Sequence, residues 1–300
     1  MFNIVSKIKY AYIFSITLTV LSVVALFFWG LKLGIDFTGG TLMEIKYAAA
    51  VPSSQEIENE LSSLNLKSLT IQPTQNNSVM LRYASEEDKV NQQVLAKIGE
   101  KYPDATQTRV DYINASVSQE LKSKSIWAIV WASIGIMAYI AWAFRKVSRP
   151  VASWKYGAGA VIALIHDVLI TTGVFSVLGH FQGMEVGIPF VAALLTILGF
   201  SVHDTIVVYD RTRENLLKAG SKEKFPEIVN KSLNETLVRS INTSLTVFIT
   251  LLAIHFFGGE SIKDFSLALI VGVFFGTYSS IFVASALLVT SYDWQMKGRG

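Results

Sequence analysis

Six stretches of this chain stay apolar for about 20 residues or more, a length that leaves a polypeptide very few folds. They lie near 12–31, 125–144, 157–178, 188–209, 237–257 and 265–291. An α-helix rises 1.5 Å per residue, so about 20 residues cross ~30 Å of hydrocarbon. A backbone in lipid must satisfy its own N–H and C=O groups, and a helix does so. The chain therefore reads as a multi-pass α-helical membrane protein with six transmembrane helices. Only 16% of its residues are charged, where a soluble domain has about a quarter, and its mean hydropathy is +0.42. The net charge of +3 comes with no basic run interleaved with aromatics, which argues against nucleic acid as a partner. The absence of cysteine excludes disulfides, thiolate metal sites and cysteine nucleophiles.

The first apolar run follows Lys7 and Lys9, as a signal peptide would. It is too long for one and no A-x-A-like site follows, so it reads as a retained anchor. Orientation comes from the short loops. Arg145, Lys146, Arg149 and Lys155 fill the second-to-third connection. Arg211, Arg213, Lys218, Lys222, Lys224 and Lys231 lie between the fourth and fifth spans, and Lys297 and Arg299 follow the sixth. The alternate short loops hold almost no basic residues, with none in 179–187 and only Lys263 in 258–264. By the positive-inside rule both termini are cytoplasmic.

Residues 32–124 are polar and long, and belong on the far side of the membrane, since long domains cross regardless of their charge. Strand patterns at 41–47, 68–74, 78–84 and 106–115 alternate with helix patterns at 53–64 and 87–102. Asn76-Asn77 between two strand-like runs is a hairpin signal. The order βαββαβ predicts a ferredoxin-like α+β domain. The expected division is 1–31 for the N-terminus and first helix, 32–124 for the extracytoplasmic domain, and 125–300 for helices two to six and the C-terminus.

Ionisable residues within the spans single out the candidate site, because a charge there costs roughly 2.5–3.5 kcal/mol on insertion scales. Asp167 lies about 15 Å into the third span, near the midplane. It can load and release a proton, or it can hydrogen-bond helices together. Asp204 sits in the cytoplasmic half of the fourth span. Arg239, near the start of the antiparallel fifth span, is at a comparable depth. An Asp204–Arg239 pair that makes and breaks could relay protons; alternatively Arg239 snorkels to the headgroups. Asn242, Thr243, Thr246 and Thr250 follow Arg239 on one helical face. That stripe either lines a hydrated path or bonds a neighbouring helix. His166 and His203 each precede an aspartate by one residue, about 100° round the helix. They are relay candidates because histidine titrates near neutrality.

Gly34, Asp36, Gly39 and Gly40 in GIDFTGGT read as a turn that re-aims the chain into the α+β domain, with Asp36 a turn or cap residue. Gly272 and Gly276 form a G-x-x-x-G packing motif, within the chain or across subunits. There is no H-E-x-x-H, no Walker A sequence and no G-x-S-x-G. No metal, no cofactor and no covalent reaction are expected, so no residue is assigned as catalytic.

Four segments together resemble a known family: GIDFTGG after the first span, ALIHDVLITTGVFSVLG in the third, GFSVHDTIVVYDRTREN in the fourth, and TLVRSINTSLT opening the fifth. They are similar to SecF, the smaller half of the bacterial SecD–SecF protein-export factor, within the wider RND superfamily of proton-driven exporters. The resemblance spans essentially the whole chain. It implies a multi-pass protein of the bacterial inner membrane, acting beside SecYEG after SecA and using the proton-motive force to draw preproteins outward. On the matching positions it implies Asp204 as the proton-conducting aspartate, with Arg239 as its basic partner. Asp167 falls in the third-span motif as a further relay candidate. The implied partners are SecD in a heteromer, SecYEG, YajC and YidC, the preprotein, protons and the lipid bilayer. SecD would supply six more spans and a matching carboxylate. The alternative is an RND-type exporter of small molecules or lipids, which needs a cleft in a larger external domain. An intramembrane aspartyl protease using Asp167 and Asp204 is disfavoured, because its G-x-G-D element is absent.

Overall fold

The structure, a computed structural model, describes residues 2–48, 51–74, 77–145, 150–220, 223–259 and 262–297. Asn76, Lys146, Arg149, Lys222 and Arg299 from the reading above lie outside the described residues. A 3-10 turn leads into the first long helix, α1 (Ile8–Trp29), which Gly30 ends with a positive φ of 65°. A short α2 (Ile35–Thr38) precedes strand β1 (Gly40–Lys46). Then come α3 (Ser54–Leu61), β2 (Thr70–Pro73), β3 (Ser78–Tyr83), α4 (Asp88–Lys101) and β4 (Thr106–Ile113). The long helices α5 (Ala115–Ala143), α6 (Ser153–Gln182), α7 (Ile188–Ala219) and α8 (Phe225–Phe257) follow. The last span is α9 (Lys263–Ser279), a π-helical turn (Ser280–Ala284) and α10 (Ser285–Lys297). Six helices among the described residues are long and apolar enough to cross a membrane.

The four-stranded sheet has the order β2-β3-β1-β4, antiparallel throughout. This is the split βαβ arrangement expected from the element order. Period-two alternation turns Met43 and Ile45 of β1 and Val79, Leu81 and Tyr83 of β3 towards the helices. Ile57 and Leu61 of α3 and Val94 and Ile98 of α4 close that core. Ser53 and Glu56 start α3 with a reciprocal capping box. Asn77 takes a left-handed φ of 57° at the β2–β3 hairpin.

In the bundle, α6, α7 and the last span form the interior, while α1, α5 and α8 lie outside them. Small residues set the close approaches. A Cβ on Gly272 would strike the Ile197 side chain, and one on Gly276 would press on Ser201, so the G-x-x-x-G motif seats α9 on α7 within this chain. The helices overrun the apolar windows, because a helix need not end where the lipid does. α5 begins at Ala115 and runs through the 124/125 division, so the α+β domain and the second span share one continuous helix.

The α+β domain meets the bundle at a joint. Residues after α1 run beside the α6–α7 loop, with a parallel bridge between Leu33 and Val186. Gly34 N–H donates to Val186 O at 2.9 Å, and Val186 N–H donates to Lys32 O at 2.8 Å. The Asp36 carboxylate accepts from the Ile188 N–H at 2.9 Å, so it caps α7 rather than its own short helix. Gly39 and Gly40 have φ of 79° and 152°. A Cβ on Gly40 would collide with Tyr83 O, which leaves glycine as the residue that fits this turn.

Candidate functional site: two buried carboxylates in the bundle

Asp167, on α6, is fully buried. Its Oδ2 accepts hydrogen bonds from Ser201 Oγ of α7 and Ser279 Oγ of α9, both at 2.7 Å. Its Oδ1 lies 3.0 Å from His166 Nδ1. Three helices thus converge on one carboxylate, and three polar contacts replace the water it lacks. His166 is also buried and stacks near Tyr278, and its Nε2 has no hydrogen-bond partner. Although their Cα–Cβ bonds diverge by about 100°, the His166 and Asp167 side chains do meet.

The π-helical turn explains how α9 serves this site. Widening the helix at Ser280–Ala284 lets consecutive residues point inward. Ser279 reaches Asp167, and Ser280 Oγ lies 2.9 Å from Thr205 Oγ1 while donating to Ser201 O at 2.9 Å. Hydroxyls therefore knit α7 to α9 around the aspartate.

Asp204, on α7, is 3% exposed. Its hydrogen bonds are fewer and longer than those of Asp167. Ser244 Oγ of α8 stands 3.4 Å from its Oδ2, a long contact, and the same hydroxyl also lies 2.8 Å from Ser240 O. Thr277 Oγ1 of α9 donates to Ser244 Oγ at 2.6 Å. Ser240 Oγ is buried without a partner. A polar, under-satisfied pocket thus surrounds Asp204, where Asp167 has a full set of partners.

Arg239 does not form the pair with Asp204 expected from sequence. It is exposed, and no hydrogen bond or ion pair within 4 Å joins the two, although the Arg239 charge lies close enough to act on the carboxylate. The physical reason is its place on α8: the neighbouring Ser240 and Ser244 face α7, and Arg239 projects about 100° away from Ser240. Asn242, Thr246 and Thr250 are exposed with it, and Thr243 is half-buried. Thr246 and Thr250 bond carbonyls of their own helix. The stripe thus lines no path inside this chain and faces outward. His203 is exposed too, about 100° round α7 from Asp204 and close enough for its charge to act on that carboxylate. Ser201, Ser244, Ser279 and Thr277 were missed. Their signal is small hydroxyls in apolar spans, with Ser201 lying three residues before Asp204, on the same face.

Residues 93–294 match the family described as "Protein export membrane protein SecD/SecF, C-terminal", and residues 24–51 match the "SecD/SecF GG Motif". The chain belongs to the SecD/SecF family. The SecF protein translocase subunit of Thermobaculum terrenum is 44% identical over 96% of this chain and 93% of its own length. A SecDF crystal structure from Thermus thermophilus, described as a translocon-associated membrane protein, superposes with a TM-score of 0.79 at 33% identity. That alignment covers 96% of this chain and 38% of the SecDF chain, so this chain spans well under half of the longer protein. SecDF in a super-membrane-facing form gives a TM-score of 0.72 at 32% identity, over 99% of this chain and 39% of that one. By these likenesses the chain is a SecF homologue of the Sec protein-export machinery, a multi-pass membrane protein. The SecD/SecF GG motif falls on the strap that carries Asp36, Gly39 and Gly40. Both buried aspartates lie within the longer SecD/SecF match.

Proposed function

We propose that this chain works as the SecF half of a SecD–SecF complex that assists preprotein export, and that Asp204 is its proton-carrying group. The observation that carries the reading is the contrast between the two aspartates. Asp167 is held by Ser201, Ser279 and His166, a set that fixes one geometry across three helices. Asp204 exposes almost as little surface but is less deeply enclosed; it has one long hydroxyl contact and no cation within ion-pair distance, with the His203 and Arg239 charges acting from farther off. A group so placed has few hydrogen bonds that depend on one charge state, so taking up and releasing a proton disrupts less around it than the same step would at Asp167. Its contacts to α8 then change with its charge, which supplies a switch between helix arrangements.

Arg239 and the stripe Asn242, Thr243, Thr246 and Thr250 serve the partner bundle on this reading. Such residues are costly facing lipid, and their family counterparts lie in one chain with a SecD portion in SecDF proteins. SecD, with its own carboxylate, would cover the stripe and meet Arg239. Asp167 and His166 form a second station behind Asp204, linked to it through Ser201 of the same helix as Asp204. His203 is left on the outer surface of α7. SecYEG, YajC and YidC are the further partners, and the emerging preprotein is the substrate. The expected layout has residues 32–124 extracytoplasmic, residues 1–31 and 125–300 in and beside the inner membrane, and both termini cytoplasmic. One proton crossing ~100 mV releases about 2.3 kcal/mol, so a few protons cover a domain movement of several kcal/mol.

The test is preprotein export into vesicles that hold this chain with SecD, with and without a proton-motive force. Asp204→Asn should abolish the stimulation while the complex still assembles. Full stimulation in that variant would overturn the assignment.

A further inference from the structure

Between the N-terminal segment, α8 and α9 lies an open apolar groove of about 770 Å³. Leu237, Ile241, Leu245 and Phe248 of α8 form one wall, with Phe274 and Phe282 of the last span opposite. One end is lined by Lys7, which is exposed and whose ammonium makes no hydrogen bond or ion pair with the described residues. A neighbouring recess of about 610 Å³ shares the Phe2 and Asn3 walls and is lined by Lys231 together with Glu227. Ser244 and Thr277 border the apolar part, and Ser244 is the residue that touches Asp204.

The placement of the groove decides what fills it. At 100° per residue, Leu237, Ile241, Leu245 and Phe248 cluster on one side of α8, and Arg239, Asn242, Thr243, Thr246 and Thr250 on the other. A partner bundle seated on the polar stripe leaves the groove open to the bilayer; this step rests on the reading proposed above. The lining is mostly hydrocarbon, with the Lys7 ammonium at one end and Lys231 in the adjoining recess. That combination matches an acyl chain below a negatively charged headgroup. Basic pockets between membrane helices take such headgroups, and the excess of two lysines over one glutamate selects an anionic lipid over a zwitterionic one.

We propose that this groove binds one anionic phospholipid of the surrounding leaflet, its acyl chain between α8 and the last span and its phosphate at Lys7. An occupied groove shields the Ser244–Asp204 contact on its lipid side. The test is native mass spectrometry of the full chain, with its SecD partner, from nanodiscs of phosphatidylglycerol mixed with phosphatidylcholine. One phosphatidylglycerol should be retained in preference to phosphatidylcholine. Lys7→Glu should lower that retention at least fivefold, about the factor one lysine contributes at an anionic surface, since it also puts a negative charge there. Lys9→Glu, the same charge change outside the groove lining, should leave it. Ile241→Trp, which fills the groove, should remove the retained lipid whatever its headgroup. Equal retention of the two lipids, or equal loss in both lysine variants, would mean diffuse surface attraction and overturn the proposal. So would a photocrosslinker at Ile241 that captures a protein helix instead of lipid. None of these readouts depends on proton coupling, so an active Asp204→Asn would leave them standing.

Discussion

Asp167 and Asp204 are both carboxylates buried in apolar helices, and their partners give them different tasks. Ser201 and Ser279 each donate to the same oxygen of Asp167 at 2.7 Å. Removing one hydroxyl leaves that buried oxygen short of a donor, at a cost of about 1–3 kcal/mol. We expect Ser279→Ala to lower the thermal stability of the purified protein, and Ser244→Ala beside Asp204 to lower it much less, since its contact is 3.4 Å. Equal melting temperatures for the two variants would remove the distinction between clamp and carrier. The aspartates were legible in the sequence because charge is conspicuous among apolar residues. Their serine partners were not, because serine is common in membrane helices and only the tertiary fold says which hydroxyl faces a carboxylate. The absence of a direct Asp204–Arg239 contact was illegible for a related reason. Depth along a helix can be counted from the sequence, but the side of α8 that faces α7 is set by packing.

At the scale of elements, the long helices and the βαββαβ order followed from periodicity, since 20-residue apolar runs and period-two alternation admit few readings. The joint did not, because the cap of α7 comes from a residue some 150 positions earlier. Asp36→Ala should lose the bond to the Ile188 N–H and destabilise the start of α7 by about 0.5–2 kcal/mol. Faster hydrogen exchange confined to the first turn of α7 would register it; unchanged exchange there would mean that water or Pro189 geometry suffices. The α7–α9 seam is a second element-level device. Gly272→Leu would drive a side chain into Ile197, part α9 from α7 and pull Ser279 off Asp167. Overpacking of this kind costs typically 1–3 kcal/mol. Melting of Gly272→Leu alongside Ser279→Ala and the double variant tests the link. Fully additive losses would show that the seam and the clamp are independent.

At the scale of the whole molecule, among the described residues, the α+β domain meets the bundle at the strap after α1, the α6–α7 loop, α5 and the start of α9. A cleft at this joint is lined by Thr70, Gln72 and Arg82 of the sheet, by Glu185 of the loop and by Asp36 and Asp264. Lys32 Nζ lies 3.5 Å from the Glu185 carboxylate, whose side chain is 11% exposed. Arg82 Nε and Gln72 Oε1 are buried there without hydrogen-bond partners. Burial pushes the Glu185 carboxyl above the ordinary range, against the opposing pull of Lys32, Thr70 and Arg82. The docked joint therefore holds a proton on Glu185 more tightly than the opened joint does. Below the ordinary carboxyl range both forms are protonated and docking is at full strength. As pH rises through the raised pKa, the docked form must give up the tighter proton, and docking weakens. Hydrogen exchange at the Gly34 and Val186 amides, corrected for intrinsic rates, should then quicken with rising pH relative to the β1–β3 ladder. Glu185→Gln should hold both amides at their low-pH protection throughout. A variant that kept the wild-type pH response would assign it to another group, with Asp36 and Asp264 the remaining carboxylates of the cleft.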